Sequence, residues 1–215
     1  MPTSTWFRLN VAKRERVFEV AMREFGENGY STGSLNTIAR EAGIAKGSLF
    51  QYFSDKLEFY AFVCDEASRR VREEMERRMA LIDFEQSFDE WLVDAFCDWT
   101  EYMAEHPLER GITAATNFEL DNSVRSVVRD TANQHYLQVI HPLLRLWQER
   151  GEIRADADLD VVATWMMMIL PFLALAPYYD GLDPIHQLRG RTPAEQRQVI
   201  RQLIAGFRPI FAPDK

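Results

Sequence analysis

The stretch from Ser34 to Phe53, SLNTIAREAGIAKGSLFQYF, constrains the fold of this chain more than any other. Leu35, Ile38, Ala39 and Ala42 recur at helical spacing and give a short helix one apolar face. Ser34 stands where an N-cap hydroxyl accepts from the orphan amides of the first turn. Gly43 follows Ala42, where a chain leaving a helix often turns through positive φ. Ile44 fits as the apolar residue inside that turn, and Leu49 and Phe53 return to the same core one turn apart. Two short helices around a glycine turn are predicted, the layout of a helix-turn-helix.

The second helix of such a motif enters a DNA major groove with its N-terminal residues at the base edges. Lys46 and Gly47 stand near that end, and Gly47 permits close backbone approach. Ser48 and Gln51 can hydrogen-bond a phosphate or a base, Gln being suited to the N6/N7 edge of adenine. Tyr52 and Lys56 are read as phosphate contacts. Upstream, residues 1–9 read as a frayed arm. Lys13, Arg14 and Arg16 then open an amphipathic helix whose buried stripe is Val17, Phe18, Ala21, Met22 and Phe25, with Gly26 and Gly29 ending it.

The run FGENGYSTGSLNTIAREAGIAKGSLFQYFSDKLEFYAFV resembles the N-terminal DNA-binding domain of TetR-family (TetR/AcrR) transcriptional regulators. The matching features are FxxxGY at Phe25, Gly29 and Tyr30, IAxxAG at Ile38, Ala39, Ala42 and Gly43, KGSLFxYF from Lys46 to Phe53, and Lys56 opening the next helix. The resemblance covers residues 10–65; beyond them it extends only to helical layout. It implies an all-α fold. A three-helix helix-turn-helix DNA-binding domain over residues 10–56 precedes a larger helical ligand-binding and dimerisation domain over residues 57–215, with about nine helices. It also implies DNA contacts from Lys13, Arg14, Ser34, Thr37, Lys46, Gly47, Ser48, Leu49, Gln51, Tyr52 and Lys56. The chain departs from the family's pattern at Ala45, where Ser or Thr commonly caps the helix, and at Phe50, where Tyr is frequent.

Further along, a helix from Lys56 to about Leu81 carries Tyr60, Val63, Cys64, Ala67, Val71, Met75 and Met79 on one face and mixed charge on the other. Residues 84–105 form another, with Phe88, Trp91, Leu92, Ala95, Phe96, Trp99 and Met103 inward, broken by His106-Pro107. After a short helix to about Phe118, Asp121 or Asn122 caps a long one to Arg150, stopped by Gly151. It should bury Val124, Val127, Val128, Tyr136, Val139, Ile140, Leu143 and Trp147, and Pro142 should kink it. Val161 to Tyr179 is a run without a charge, but Asp160 and Asp180 flank it and Pro171 and Pro177 interrupt it. It reads as core or subunit interface rather than a membrane span. Thr192-Pro193 with Glu195 opens a last helix as a capping box.

The net charge of −8 is unequally divided. Residues 1–60 carry eight basic and seven acidic side chains, the rest 17 and 26. Phosphate binding needs positive charge on one face only, so an acidic remainder does not exclude it. Cys64 and Cys97 lack metal or disulfide spacing, and the opening residues lack a secretory leader's pattern, so a cytoplasmic location is expected. No GxSxG, Walker loop, GxGxxG or HExxH occurs, and the four histidines are not spaced as ligands, so neither an enzyme nor a cofactor is expected.

The later helices offer an aromatic and Met-rich interior suited to an apolar effector. Its candidate walls are Trp99, Met103, Phe118, Tyr136, Trp165, Met168 and Phe172, with Asn117 and His135 as orienting polar groups. The last two helices resemble the family's four-helix dimer interface, which implies contacts from Trp165, Ile169, Leu173, Val199, Ile200, Leu203, Ile204 and Phe207. The expectation is a homodimeric repressor that reads an inverted-repeat, double-stranded DNA operator about 34–36 Å between half-sites and is released by a small hydrophobic effector. An activator, a regulator controlled by a protein partner, and a helical scaffold without DNA binding are the alternatives.

Overall fold

The computed structural model describes residues 2–213, and every regular element among them is helical. In chain order these are α1 (Ser4–Phe7), α2 (Val11–Thr32), α3 (Leu35–Ala42), α4 (Lys46–Tyr52), α5 (Lys56–Met79), α6 (Phe88–Glu105), α7 (Pro107–Asn117), α8 (Asn122–Glu149), α9 (Leu159–Leu175) and α10 (Pro193–Phe207). A 3₁₀ turn, Arg208–Ile210, follows. The chain packs as two compact units. One joins the residues up to Val71 with His106–Ala132; the other joins Arg72–Glu105 with the chain from Asn133 onward. Compactness therefore cuts the chain elsewhere than the functional division expected at 56/57.

In the first unit Phe25, Ile38, Phe53, Phe59 and Tyr60 share a core with Ile112, Val124 and Val128. The Phe53 and Phe59 rings lie 4.5 Å apart and those of Phe25 and Tyr60 4.9 Å. Helix α2 packs on α7 through two glycines. A Cβ on Gly26 would sit 3.1 Å from the Gly111 carbonyl carbon, so the backbones approach because neither carries a side chain. Gly26 therefore does not end α2, as its residue type suggested; it is a packing residue inside it. The break falls at Gly29 (φ 66°, ψ −172°), after which the helix makes a last turn to Thr32.

The expected frayed arm is also corrected. Residue 1 lies outside the described residues, but Ser4–Phe7 is helical and Trp6 is buried. On α8 the cap is Asp121, whose Oδ1 accepts from the Ser123 amide at 2.9 Å. Val124 and Val128 form its buried stripe there, whereas Val127, one residue off that stripe, is exposed.

The second unit is built on aromatic packing. Trp147 is fully buried, with the rings of Phe84, Phe88 and Trp91 centred 5.4–5.6 Å away. The indole N–H groups of Trp91 and Trp147 meet no acceptor, whereas that of Trp99 donates to the Leu170 carbonyl at 2.8 Å. Three ion pairs fasten the C-terminal helices to α6: Arg197 with Asp94, Arg201 with Glu90 and Arg208 with Asp89. The capping box predicted at Thr192 is formed with Glu195. No helix among the described residues is long and apolar enough to cross a membrane.

On α5, hydrogen bonds from the Arg77 and Arg78 guanidiniums hold the Glu74 carboxyl down to about 2, below its ordinary 4.5. A depressed folded-state pKa stabilises the fold above the unfolded value and loses that contribution as pH falls through the folded one, so the window is pH 4.5 to about 2. Because Arg77 is largely exposed and Glu74 keeps partial access to water, screening applies and Glu74→Gln is expected to cost about 1 kcal/mol at pH 7. The difference should vanish by about pH 2. Urea titrations at both pH values check this; an undiminished deficit at pH 2 would show that charge is not the cause.

Candidate nucleic-acid interface

The reading motif is set by local chemistry. The Ser34 hydroxyl accepts from the Thr37 amide at 3.2 Å, and the Ser34 amide donates to Glu24 Oε1 at 2.8 Å. Gly43 adopts the left-handed conformation at the end of α3 (φ 70°, ψ 36°), and the Ile44 amide reaches back to the Ala39 carbonyl at 2.9 Å. Ile38, Ala39, Ala42, Leu49 and Phe53 are buried beneath the turn. Helix α4 begins without side-chain help, because Ala45 has no group to offer its first amides.

Of the expected DNA contacts, Lys13, Lys46, Gly47 and Gln51 are exposed, and Arg14, Thr37 and Ser48 half-buried. The Arg14 guanidinium also reaches the Phe7 carbonyl at 3.4 Å. A Cβ placed on Gly47 would meet nothing within 4 Å, so no neighbour in the chain demands glycine there. Phe50, where a Tyr is frequent, is half exposed between Lys46 and Gln51.

Four expected contacts are engaged within the fold. Leu49 and Tyr52 are only 2% and 4% exposed, since three-residue spacing puts both on the core face of α4. Ser34 spends its hydroxyl on the cap. The Lys56 ammonium donates to the Ser31 carbonyl at 3.2 Å and lies 4.9 Å over the Tyr30 ring. Burial lowers its pKa, with Glu24 opposing.

The residues read as effector walls separate. Asn117 and Phe118 belong to the first unit; the Asn117 amide donates to the Thr113 carbonyl, and Phe118 is exposed. In the second unit Trp99 and Tyr136 meet edge to face at 5.9 Å, with Met103 buried and His135 and Phe172 half-buried. Met168 lies at the surface, 71% exposed. Of the residues read as a dimer face, Trp165, Leu173, Val199, Ile200 and Ile204 are buried in this unit's own core, and Ile169 and Leu203 half-buried. Phe207 is 42% exposed, and Val161 and Met168, seven residues apart on α9, are exposed apolar neighbours on its outer face.

An N-capped helix, a left-handed glycine turn and a second helix with a bare polar N-terminal end define a helix-turn-helix protein. A sequence model described as bacterial regulatory proteins, tetR family, matches residues 17–61. The HTH-type transcriptional regulator SrpR of Pseudomonas putida is 28% identical over 197 residues, covering 90% of this chain and 83% of that protein. The HTH-type transcriptional repressor AcnR of Corynebacterium diphtheriae is 25% identical over 163 residues, 74% of this chain and 77% of its own. Among solved structures, a transcriptional regulator from Pseudomonas aeruginosa PAO1 superposes with a TM-score of 0.72 at 19% identity, covering 96% and 95% of the two chains. FadR of Bacillus subtilis, solved in complex with stearoyl-CoA, does so at 0.68 and 16%, covering 88% and 96%. Residues 17–61 thus match the DNA-binding region of tetR-family bacterial regulatory proteins, and over most of its length the chain is similar to HTH-type transcriptional regulators.

Proposed function

We propose that the protein is a homodimeric repressor that reads an inverted-repeat operator through α4 and releases it when an apolar ligand occupies its helical C-terminal region. The observation that carries the DNA reading is the exposed N-terminal end of α4. Lys46, Gly47 and Gln51 are bare to solvent, with Gly47 unconfined by any neighbour. Lys13 and Arg14 supply phosphate contacts, Gln51 and Ser48 base or phosphate contacts, and the Phe50 ring an apolar surface suited to a thymine methyl. Leu49 and Tyr52 hold α4 from beneath. Val161, Met168 and Phe207 form the face offered to a second copy, which a twofold operator requires.

The apolar ligand is supported by the aromatic and Met side chains around Trp99 and Tyr136, and by the acyl-CoA bound to a protein of the same fold. Such a ligand acts only through differential affinity for two states of the protein, and α5, unbroken from Lys56 to Met79, contributes residues to both units.

Selection from a random double-stranded DNA library at moderate salt tests the reading. An enriched inverted repeat, bound with affinity that falls steeply with salt, is the expected result. Absence of enrichment would favour a helical binding protein that does not read DNA.

Gly47 gives a sharper test. Gly47→Ala should stabilise α4 by about 0.5–1 kcal/mol, because alanine loses less backbone entropy than glycine. The same methyl should hold the backbone off the DNA and weaken operator binding by about tenfold, or about 1.4 kcal/mol. Thermal unfolding and operator titration on one preparation measure both. Undiminished binding would remove Gly47 from the interface.

A further inference from the structure

We propose that the N-terminal segment Thr3–Arg8 is a clamp that positions the recognition helix, with Trp6 as its anchor and Thr3 as its latch; the proposal rests on the DNA-reading role given to α4. Helix α4 is only seven residues long and has no side-chain N-cap. Isolated helices shorter than about 12–15 residues are marginal in water, so α4 depends on what packs against it and on what its terminal carbonyls bind.

At its C-terminal end one of those carbonyls, Leu49, takes the Phe53 amide at 2.9 Å. Two more of them are satisfied by a residue far ahead of the motif. The Thr3 hydroxyl donates to the Gln51 carbonyl at 2.7 Å, and the Thr3 amide donates to the Tyr52 carbonyl at 2.9 Å. The single turn that follows places the Trp6 ring 5.7 Å from Tyr52, 5.2 Å from Phe53 and 5.6 Å from Phe62, and Trp6 retains 3% of its surface.

Both devices act on the inner and C-terminal side of α4 and leave Lys46, Gly47 and Gln51 uncovered. Trp6 is thus a positioning residue: its ring packs on Tyr52, Phe53 and Phe62 and fixes the helix that carries the DNA-facing side chains. Sequence readout depends on that fixation more than phosphate attraction does, because base edges must be met at hydrogen-bond distance whereas a charge acts over several ångströms.

The test uses the full-length protein and the variants Trp6→Ala, Trp6→Phe and Thr3→Val. Hydrogen exchange of residues 46–53 is measured in the free protein, and affinity is measured for the selected operator and for unrelated DNA of equal length. In Trp6→Ala, exchange over residues 46–53 should accelerate about tenfold while the α2 core segment 17–25 is unchanged. Operator affinity should fall about tenfold with binding to unrelated DNA nearly unaltered. Trp6→Phe should restore most of both. Thr3→Val, at an exposed position where folding is not at stake, should shift exchange and specificity the same way by a few-fold. Unchanged exchange over residues 46–53, or equal acceleration across 46–53 and 17–25, would overturn the clamp. If the wild-type protein binds no DNA selectively, the DNA-reading role fails, and the exchange data still decide whether Thr3–Arg8 holds α4.

Discussion

Trp147→Ala is expected to cost about 3–5 kcal/mol, the range for truncating a large aromatic side chain in a packed core. The residue has no exposed surface, and three aromatic rings lie within 5.6 Å of its own, so their collapse into the void can be only partial. Against total stabilities of about 5–15 kcal/mol, this leaves the second unit close to its unfolding threshold at 37 °C. Trp147→Phe should behave differently. The indole N–H has no acceptor, so phenylalanine removes a buried donor without breaking a bond. The relief of an unsatisfied group, about 1–3 kcal/mol, offsets the smaller loss of volume, and the net change should lie within about 1 kcal/mol of wild type. Urea unfolding followed by near- and far-ultraviolet circular dichroism measures the pair. A phenylalanine variant as unstable as the alanine one would mean that shape, not polarity, governs the cluster.

Gly33→Ala is the second large effect. A Cβ built on Gly33 falls 2.6 Å from the Gly29 carbonyl oxygen and 2.7 Å from Phe25 Cδ1. The first obstacle is backbone and the second a ring buried in the core of the first unit, so neither can move cheaply. Overpacking of this kind costs about 1–3 kcal/mol, and Gly33→Ala should sit at the upper end. Gly206→Ala is the control. Gly206 lies in α10 with nothing near its missing Cβ, and alanine there should stabilise by up to about 1 kcal/mol. Opposite shifts in melting temperature are expected. A neutral Gly33→Ala would show that the Gly29 kink swings freely and that the junction of α2 and α3 is a hinge.

The elements legible in the sequence were those whose cause is local. Ser34 as cap, Gly43 in the left-handed turn, and Thr192 with Glu195 as a capping box each depend on residues within a few positions, and each is formed. Helical stripes such as Val124 and Val128 were legible for the same reason. What the sequence concealed is decided by distant partners. Gly26 has the composition of a helix end but is held inside α2 by Gly111. The arm has the composition of a frayed terminus, yet Trp6 finds Tyr52, Phe53 and Phe62. A tryptophan amid Thr and Ser was the available signal, since so large an apolar surface is seldom left in water. Within α4, Leu49 faces the core as its spacing with Phe53 predicts, and Tyr52, read as a phosphate contact, lies three residues on along the same buried face.

The first unit's core has a consequence for how the protein is made. Its buried cluster includes Ile112, Val124 and Val128, which follow the DNA-reading motif only after residues 72–105 of the other unit have been synthesised. On the ribosome the motif therefore emerges with part of its apolar surface uncovered and stays so until residue 128 has left the exit tunnel. At about 5–20 residues per second that is an interval of several seconds. A nascent chain in this interval exposes apolar surface of the kind that chaperones shield, and a shortened gene ending near residue 71 would encode a motif lacking those three core residues.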